Sequence, residues 1–278
     1  NLSNYGAILF RGFNSKDDDS FIKFARSFGH ELLNYEFGST PRTELGKGVY
    51  TTTEYPPHQI IPQHNEQSYT LNWPMKIWFH CVVEPEIGGT TPLSDSREVY
   101  KLIDQTILNR FSDKKLMYVR NYGGGLDLPW QQTFNTDSSK QVEEFCRNQN
   151  IQFEWKASGD LRTRQVCQAV ASHPSTGEMV WFNQAHLFHT SNLAPATLET
   201  MLSFMPIEDL PRNVYYGDGS PIEDSILQEV RGVLDECTIS FPWRKGDILM
   251  LDNMLIAHGR STFEGARKVV VAMAEPNR

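Results

Sequence analysis

The sequence predicts a mostly β fold with surrounding helices, built on a double-stranded β-helix, or jelly-roll, core. Three observations lead there. Short β-branched and aromatic runs recur between turn signals. The few helical patterns do not alternate regularly with them, which argues against a βαβ succession. No shift of composition divides the 278 residues, so one domain over 1–278 is expected.

Residues 6–13 (GAILFRGF) read as a short buried strand stopped by Gly12. Residues 17–27 form an amphipathic helix, with Phe21, Ile22, Phe24 and Ala25 on one face and an acidic first turn that suits the helix dipole. From about residue 32 to 65 the chain is irregular and carries Pro41, Pro56, Pro57 and Pro62. A loop this long is expected to be functional, here by closing over a site. Residues 76–84 (KIWFHCVVE) form a strand that stops at Pro85. Gly88-Gly89-Thr90-Thr91-Pro92 is a turn, after which Asp95 or Ser96 caps a helix to about Ile103. Residues 138–147 form a second helix. Residues 153–155, 166–171 and 178–182 read as strands, the last pair joined through a turn at 174–177. Residues 222–234 form a helix with Ile226, Leu227, Val230, Val233 and Leu234 inward, and 238–241, 247–251 and 268–274 are three late strands.

Hydrophobic residues at 39% and aromatics at 12% supply a sizeable core. A net charge of −8 lacks the basic footprint of a nucleic-acid binder. No apolar run approaches the roughly 20 residues that span a bilayer, so no membrane partner is expected. Cys81, Cys146, Cys167 and Cys237 show no C-x-x-C spacing, which fits reduced thiols of a cytoplasmic protein. There is no signal-peptide pattern, and the chain begins Asn-Leu-Ser without a Met, so its natural N-terminus is expected to be missing.

His64 and Glu66 stand two residues apart and would share a face if they lay on a strand. His258 follows a late strand and would arrive from a neighbour. Two imidazoles and one carboxylate form the facial ligand set of non-haem Fe(II) oxygenases, although Mn, Co, Ni or Zn can occupy it. The same residues also read as a loop histidine beside an unrelated glutamate. What favours the site is the order: an H-x-E dyad, a Gly-Gly-x-Thr turn, then a strand, a histidine and Arg267 opening the last strand.

These segments, His64-Asn65-Glu66-Gln67-Ser68-Tyr69, Gly88-Gly89-Thr90-Thr91-Pro92, Leu251-Asp252-Asn253, Ala257-His258-Gly259-Arg260 and ARKVVVAMAEP, resemble the taurine dioxygenase/clavaminate synthase-like superfamily of Fe(II)- and 2-oxoglutarate-dependent oxygenases. YGDGSPIED, WFNQAHLFHTSNL and HNEQSYTLNWP resemble, more narrowly, the syringomycin-type hydroxylases of peptide-synthetase pathways. The resemblance implies His64, Glu66 and His258 as catalytic iron ligands, with Thr91 and Arg267 binding the distal carboxylate of 2-oxoglutarate. A planar guanidinium suits that two-point contact. Arg260 ranks second as the anchor. The implied reaction consumes O₂ and 2-oxoglutarate, releases succinate and CO₂, and hydroxylates an unactivated C–H. Desaturation, cyclisation and epoxidation share the cofactors. A non-catalytic metal-binding jelly roll and a zinc hydrolase are the other classes, the latter weakened by the lack of H-E-x-x-H.

Glu66 stands where taurine dioxygenase has Asp, which is the clavaminate-like choice, and its presence argues against halogenation. Residues 269–272 lack the second arginine that grips a sulfonate, so taurine is disfavoured. The implied substrate is an amino acid or an amino-acid-derived natural-product intermediate, free or tethered to a carrier protein. Gln67, Ser68, Tyr69, Arg97, Asn183 and His186 are the candidate substrate contacts, although a structural role is favoured for His186, and more so for His173 and His189.

Overall fold

A computed structural model describes residues 1–13, 17–34, 42–46, 48–53 and 55–277. Its largest sheet is antiparallel, in the order Ala7–Phe10, Ile248–Asp252, Pro74–Val83, Lys268–Pro276, Val49–Thr51, Glu44–Gly46. Side chains alternate across such a strand. Met75, Ile77, Phe79 and Cys81 therefore face one side, where they pack with Leu249, Leu251, Val271 and Met273. Trp78, Ile248, Met250, Val270 and Ala272 face the other, against Phe21, Ile22 and Ala25 of the helix Asp18–Arg26. Covering on both faces explains why VVVAMA is continuously apolar rather than alternating. Ile77, Trp78, Leu251 and Val270 are fully enclosed, each contributing about 1.5–3 kcal/mol by leaving water. Asp17 starts that helix through a capping box with Ser20.

A second antiparallel sheet, Thr238–Ile239, Leu93–Asp95, Ile256–Arg260, Ile61–His64, lends Leu93 and Ile256 to the first of those cores. Ile61–His64 lies at its edge, where Pro62 costs least because an edge strand can leave one N–H position unused.

A third sheet, Arg212–Tyr216, Leu116–Tyr122, Leu161–Cys167, Gln152–Trp155, packs with the helices Gln105–Lys114, Ser139–Asn148 and Asp224–Glu236 around Phe111, Leu116, Leu161, Tyr216, Leu227 and Val230.

Several expectations are corrected. Residues 6–13 shorten to Ala7–Phe10, which is half-buried because it is an edge strand with one neighbour. Among its described residues the irregular stretch contains the short strands Glu44–Gly46, Val49–Thr51 and Ile61–His64; Pro41 lies outside the described residues. Residues 166–171 are divided between Leu161–Cys167 and the hairpin strand Val170–Ser172, which pairs with Met179–Trp181. Among the described residues, no helix is long and apolar enough to cross a membrane, and all four cysteines are free.

Candidate metal and co-substrate site

His64 ends its edge strand, and His258 lies directly opposite it on the adjoining strand. Glu66 is not on a strand. It sits in the turn that follows, so strand alternation does not explain why it joins the histidines. Asn253 does: its side-chain oxygen accepts from the Glu66 N–H (2.7 Å), and its amide donates to the Glu66 carbonyl (2.9 Å) and the Pro74 carbonyl (2.8 Å). Asn65 donates back to the Asn253 carbonyl at 2.7 Å. One ligand atom from each of His64, Glu66 and His258 lies within 4.8 Å of the others.

The donor chemistry fits a metal. His64 Nδ1 lies 2.8 Å from the Pro62 carbonyl, which fixes it as the protonated nitrogen and leaves Nε2 as the lone-pair donor. Among the described residues, His258 Nδ1 is buried without a hydrogen-bond partner. Burial pushes the His64 imidazolium down, opposed by Glu66 and the Pro62 carbonyl and aided by Arg42. Burial, His64 and Arg42 hold His258 well below the usual histidine range. Both rings are thus kept neutral, the form that ligates metals. Glu66 is only 4% exposed, and Arg42 donates to its Oε2 at 2.5 Å.

Beside these residues, Thr91 and Arg267 line a cavity of about 40 Å³ together with Phe79. That holds a few water molecules. A five-carbon diacid must also draw on the adjoining cleft, which shares Arg42, Thr53, Ile61 and His64 with it. Trp243 donates to the Thr91 hydroxyl at 3.0 Å, leaving the hydroxyl proton available to an anion. Arg267 is half-buried and donates through Nε to the Gly89 carbonyl at 3.0 Å. Gly89 has φ +63°, and a Cβ there would press on Pro85 and on the Arg267 side chain. Burial, with nearby Arg260, lowers Arg267 to about 10 against a counter-effect of Cys81, so it stays cationic at neutral pH. Arg260, the rival anchor, also lines this cavity, but both of its terminal nitrogens are occupied. It donates to the carbonyls of Thr53, Tyr55, Pro56 and Gln59, tying that loop to the strand.

The profile of the taurine catabolism dioxygenase TauD, TfdA family matches residues 2–273. The chain belongs to the TauD/TfdA family. It is accordingly an Fe(II)- and 2-oxoglutarate-dependent dioxygenase, with O₂ as co-substrate. This TauD/TfdA enzyme is 40% identical over 275 residues to the dapdiamide synthesis protein DdaC of Enterobacter agglomerans, covering 99% of this chain and 84% of DdaC. It is 30% identical over 285 residues to the clavaminate synthase-like protein At3g21360 of Arabidopsis thaliana, covering 99% and 83%. Among solved structures, AAD-2 in complex with Mn(II) and N-oxalylglycine has a TM-score of 0.56 at 14% identity, over all of this chain and 86% of that one. That likeness concerns the fold.

The TauD/TfdA enzyme has a cleft of about 1060 Å³ at His64 and Glu66. Its lining includes Asp127 and Arg212, joined through Arg212 Nε and Nη2 at 2.5 and 2.6 Å. Leu187, Phe188, Leu193, Met201 and Phe204 add apolar lining. None of the six expected substrate contacts lines this cleft. Gln67 opens onto a separate cavity with Asn72 and Gln149. Ser68 is enclosed and donates to the Asn65 carbonyl. Tyr69 packs on Tyr118 and Phe188. Arg97 is clamped to Asp95 and Glu178 and to the carbonyls of Ser3 and Asn4. Asn183 joins Ala169 to Ala185. His186 Nε2 bonds the Gln63 carbonyl at 2.9 Å behind the His64 strand. His173 receives the backbone N–H groups of Ser175 and Thr176, and His189 that of Ser191. The sequence reading passed over Arg42, Asp127 and Arg212, and quoted Asn253 without a role. Arg42 lies in aperiodic chain with no local signal. An Asn closing an apolar strand was the available clue to Asn253, since a buried amide demands partners.

Proposed function

We propose that His64, Glu66 and His258 hold Fe(II), and that Arg267 and Thr91 receive the distal carboxylate of 2-oxoglutarate. The reaction is hydroxylation of an amino-acid-derived intermediate in natural-product synthesis. The observation that carries this reading is the convergence of the three donors beside a cavity containing both Thr91 and Arg267. The largest sheet and the sheet that holds Ile256–Arg260 and Ile61–His64 are read as the halves of a double-stranded β-helix in one oxygenase domain. With metal, 2-oxoglutarate and O₂ bound, such a centre supplies oxidative decarboxylation to succinate and CO₂ coupled to C–H oxidation.

The chain's own residues supply placement. Neutral imidazoles and one carboxylate bind on a single face. Arg267 offers a charged fork in a low-dielectric setting, where a carboxylate contact is stronger than in water. Asp127 and Arg212 present opposite charges in the cleft, a pattern suited to the dipolar head of an amino acid, free or carrier-tethered. The apolar lining suits its remainder. The name of the relative DdaC places that protein in dapdiamide synthesis, which supports the natural-product reading. Four unpaired cysteines agree with a cytoplasmic setting.

The test is succinate release from the Fe(II)-loaded enzyme under O₂, across amino acids and their N-acyl and thioester derivatives. Substrate-dependent succinate with a product carrying one added oxygen is expected. A product that has only lost two hydrogens would replace hydroxylation by desaturation. Absence of metal uptake would remove the proposed centre.

A further inference from the structure

We infer that Arg42 is a positioning residue that restricts Glu66 to one oxygen toward the metal, and thereby keeps a coordination position open for 2-oxoglutarate. This rests on the proposed metal site.

The backbone of Glu66 is fixed on both sides by Asn253, but that leaves the carboxylate free to turn. The terminal torsion of glutamate is broad and two-fold, so either oxygen, or both, can face a bound ion. Arg42 removes the choice. Its Nη2 donates to Oε2 at 2.5 Å, and both side chains are only 5% exposed. A charge-assisted bond between two such enclosed groups is short and strong. Oε2 is committed to the guanidinium, and Oε1 is left for the metal. Carboxylates otherwise ligate metals through one oxygen or two, and a chelating Glu66 would fill a position that the facial set leaves open. Arg42 also lines both the large cleft and the small Thr91–Arg267 cavity, so it stands where the carboxylate and co-substrate would compete.

The test compares wild type, Arg42→Met and Arg42→Lys under anaerobic Fe(II), with Co(II) as a second metal. Metal affinity, 2-oxoglutarate affinity and the visible charge-transfer band of the Fe(II)–2-oxoglutarate complex are measured. For Arg42→Met, metal affinity is expected to stay within about threefold of wild type or to rise. Affinity for 2-oxoglutarate should fall by about tenfold or more, with a weakened band, as for other residues that orient ligands. Arg42→Lys, which keeps the charge but not the fork, should recover part of the loss.

A Glu66→Gln background separates this from direct contact between Arg42 and the co-substrate. An amide binds through one oxygen only. At saturating metal, adding Arg42→Met to Glu66→Gln should then cost no further 2-oxoglutarate affinity. A full further loss in that background, an unchanged band in Arg42→Met, or equal losses of metal and co-substrate in both Arg42 variants would overturn the inference. Wild type that binds no metal, or Glu66→Ala that binds it as wild type does, would instead remove the site beneath it.

Discussion

His64 and His258 face each other across neighbouring antiparallel strands, with ring centroids 4.8 Å apart. Two imidazoles this close, one buried and one half-buried, are unfavourable if protonated and gain little from each other when neutral. A metal ion changes that balance, because ligands that bind it only when assembled add binding energy to folding. Fe(II) or Co(II) at about a hundredfold excess over its dissociation constant should raise Tm by roughly 5–10 °C. His258→Ala should fold but show almost no metal-induced shift. Differential scanning fluorimetry under anaerobic conditions checks both, and an equal shift in the variant would place the metal elsewhere.

Asn253 predicts a coupled loss of stability and ligation. Asn253→Leu keeps the branched outline, with bulkier methyls, but strips partners from the Glu66 N–H, the Glu66 carbonyl and the Pro74 carbonyl, all buried. Groups left unpaired in this way cost about 1–3 kcal/mol each, so about 3 kcal/mol or more together. Metal affinity should fall about 10–100-fold as Glu66 loses its fixed place. Urea unfolding of the metal-free protein and a metal titration measure the two effects. A stability change within about 0.5 kcal/mol would show that the asparagine does not hold the turn.

Arg267 should decide which oxoacid the enzyme uses. Its guanidinium is oriented by the Gly89 carbonyl and flanked by the Phe263 ring at 5.6 Å. Arg267→Gln should weaken 2-oxoglutarate binding by about 2–3 kcal/mol, the scale of a hydrogen bond to a charged group, and leave metal affinity intact. 2-Oxobutyrate, which lacks the distal carboxylate, should bind wild type and variant alike. Isothermal titration of both oxoacids reads this; equal losses for the two would mean that Arg267 does not touch the distal end.

Much of this candidate site was legible because the chemistry proposed for it is carried by residue type. His64, Glu66, His258, Thr91 and Arg267 are polar residues that the sequence singles out, and the structure brings all five around adjoining cavities. The long apolar strands were legible too, since Ile77–Cys81 is buried throughout and interrupted only by His80, and residues 269–274 are apolar and mostly buried. The layer holding Leu116–Tyr122 and Arg212–Tyr216 was not. Their polar residues, such as Arg120 and Asn213, are buried by tertiary contacts that no local pattern announces. The candidate substrate contacts lie outside the large cleft for a related reason. Ser68, Asn183 and His186 are polar because buried backbone needs partners, and in a sequence that demand looks the same as a ligand contact.

His186 carries a pH prediction. Burial pushes it down to about 4, outweighing its bond to the Gln63 carbonyl, and Arg231 and His64 lower it further. In the unfolded chain its value returns to about 6.5. Between these values the unfolded chain takes up a proton that the folded one refuses. The contribution to stability is therefore complete above about pH 6.5 and is lost as pH falls toward 4. One such group costs about 2 kcal/mol by about pH 5. His64 and His258 are also depressed, so the metal-free protein should weaken steeply in acid. His186→Gln can keep a donor near the Gln63 carbonyl but cannot titrate, so its stability should fall less between about pH 7 and pH 5, by roughly that 2 kcal/mol. Urea midpoints for both proteins across this range give the comparison, and parallel curves would mean that His186 is protonated in the fold as readily as in water.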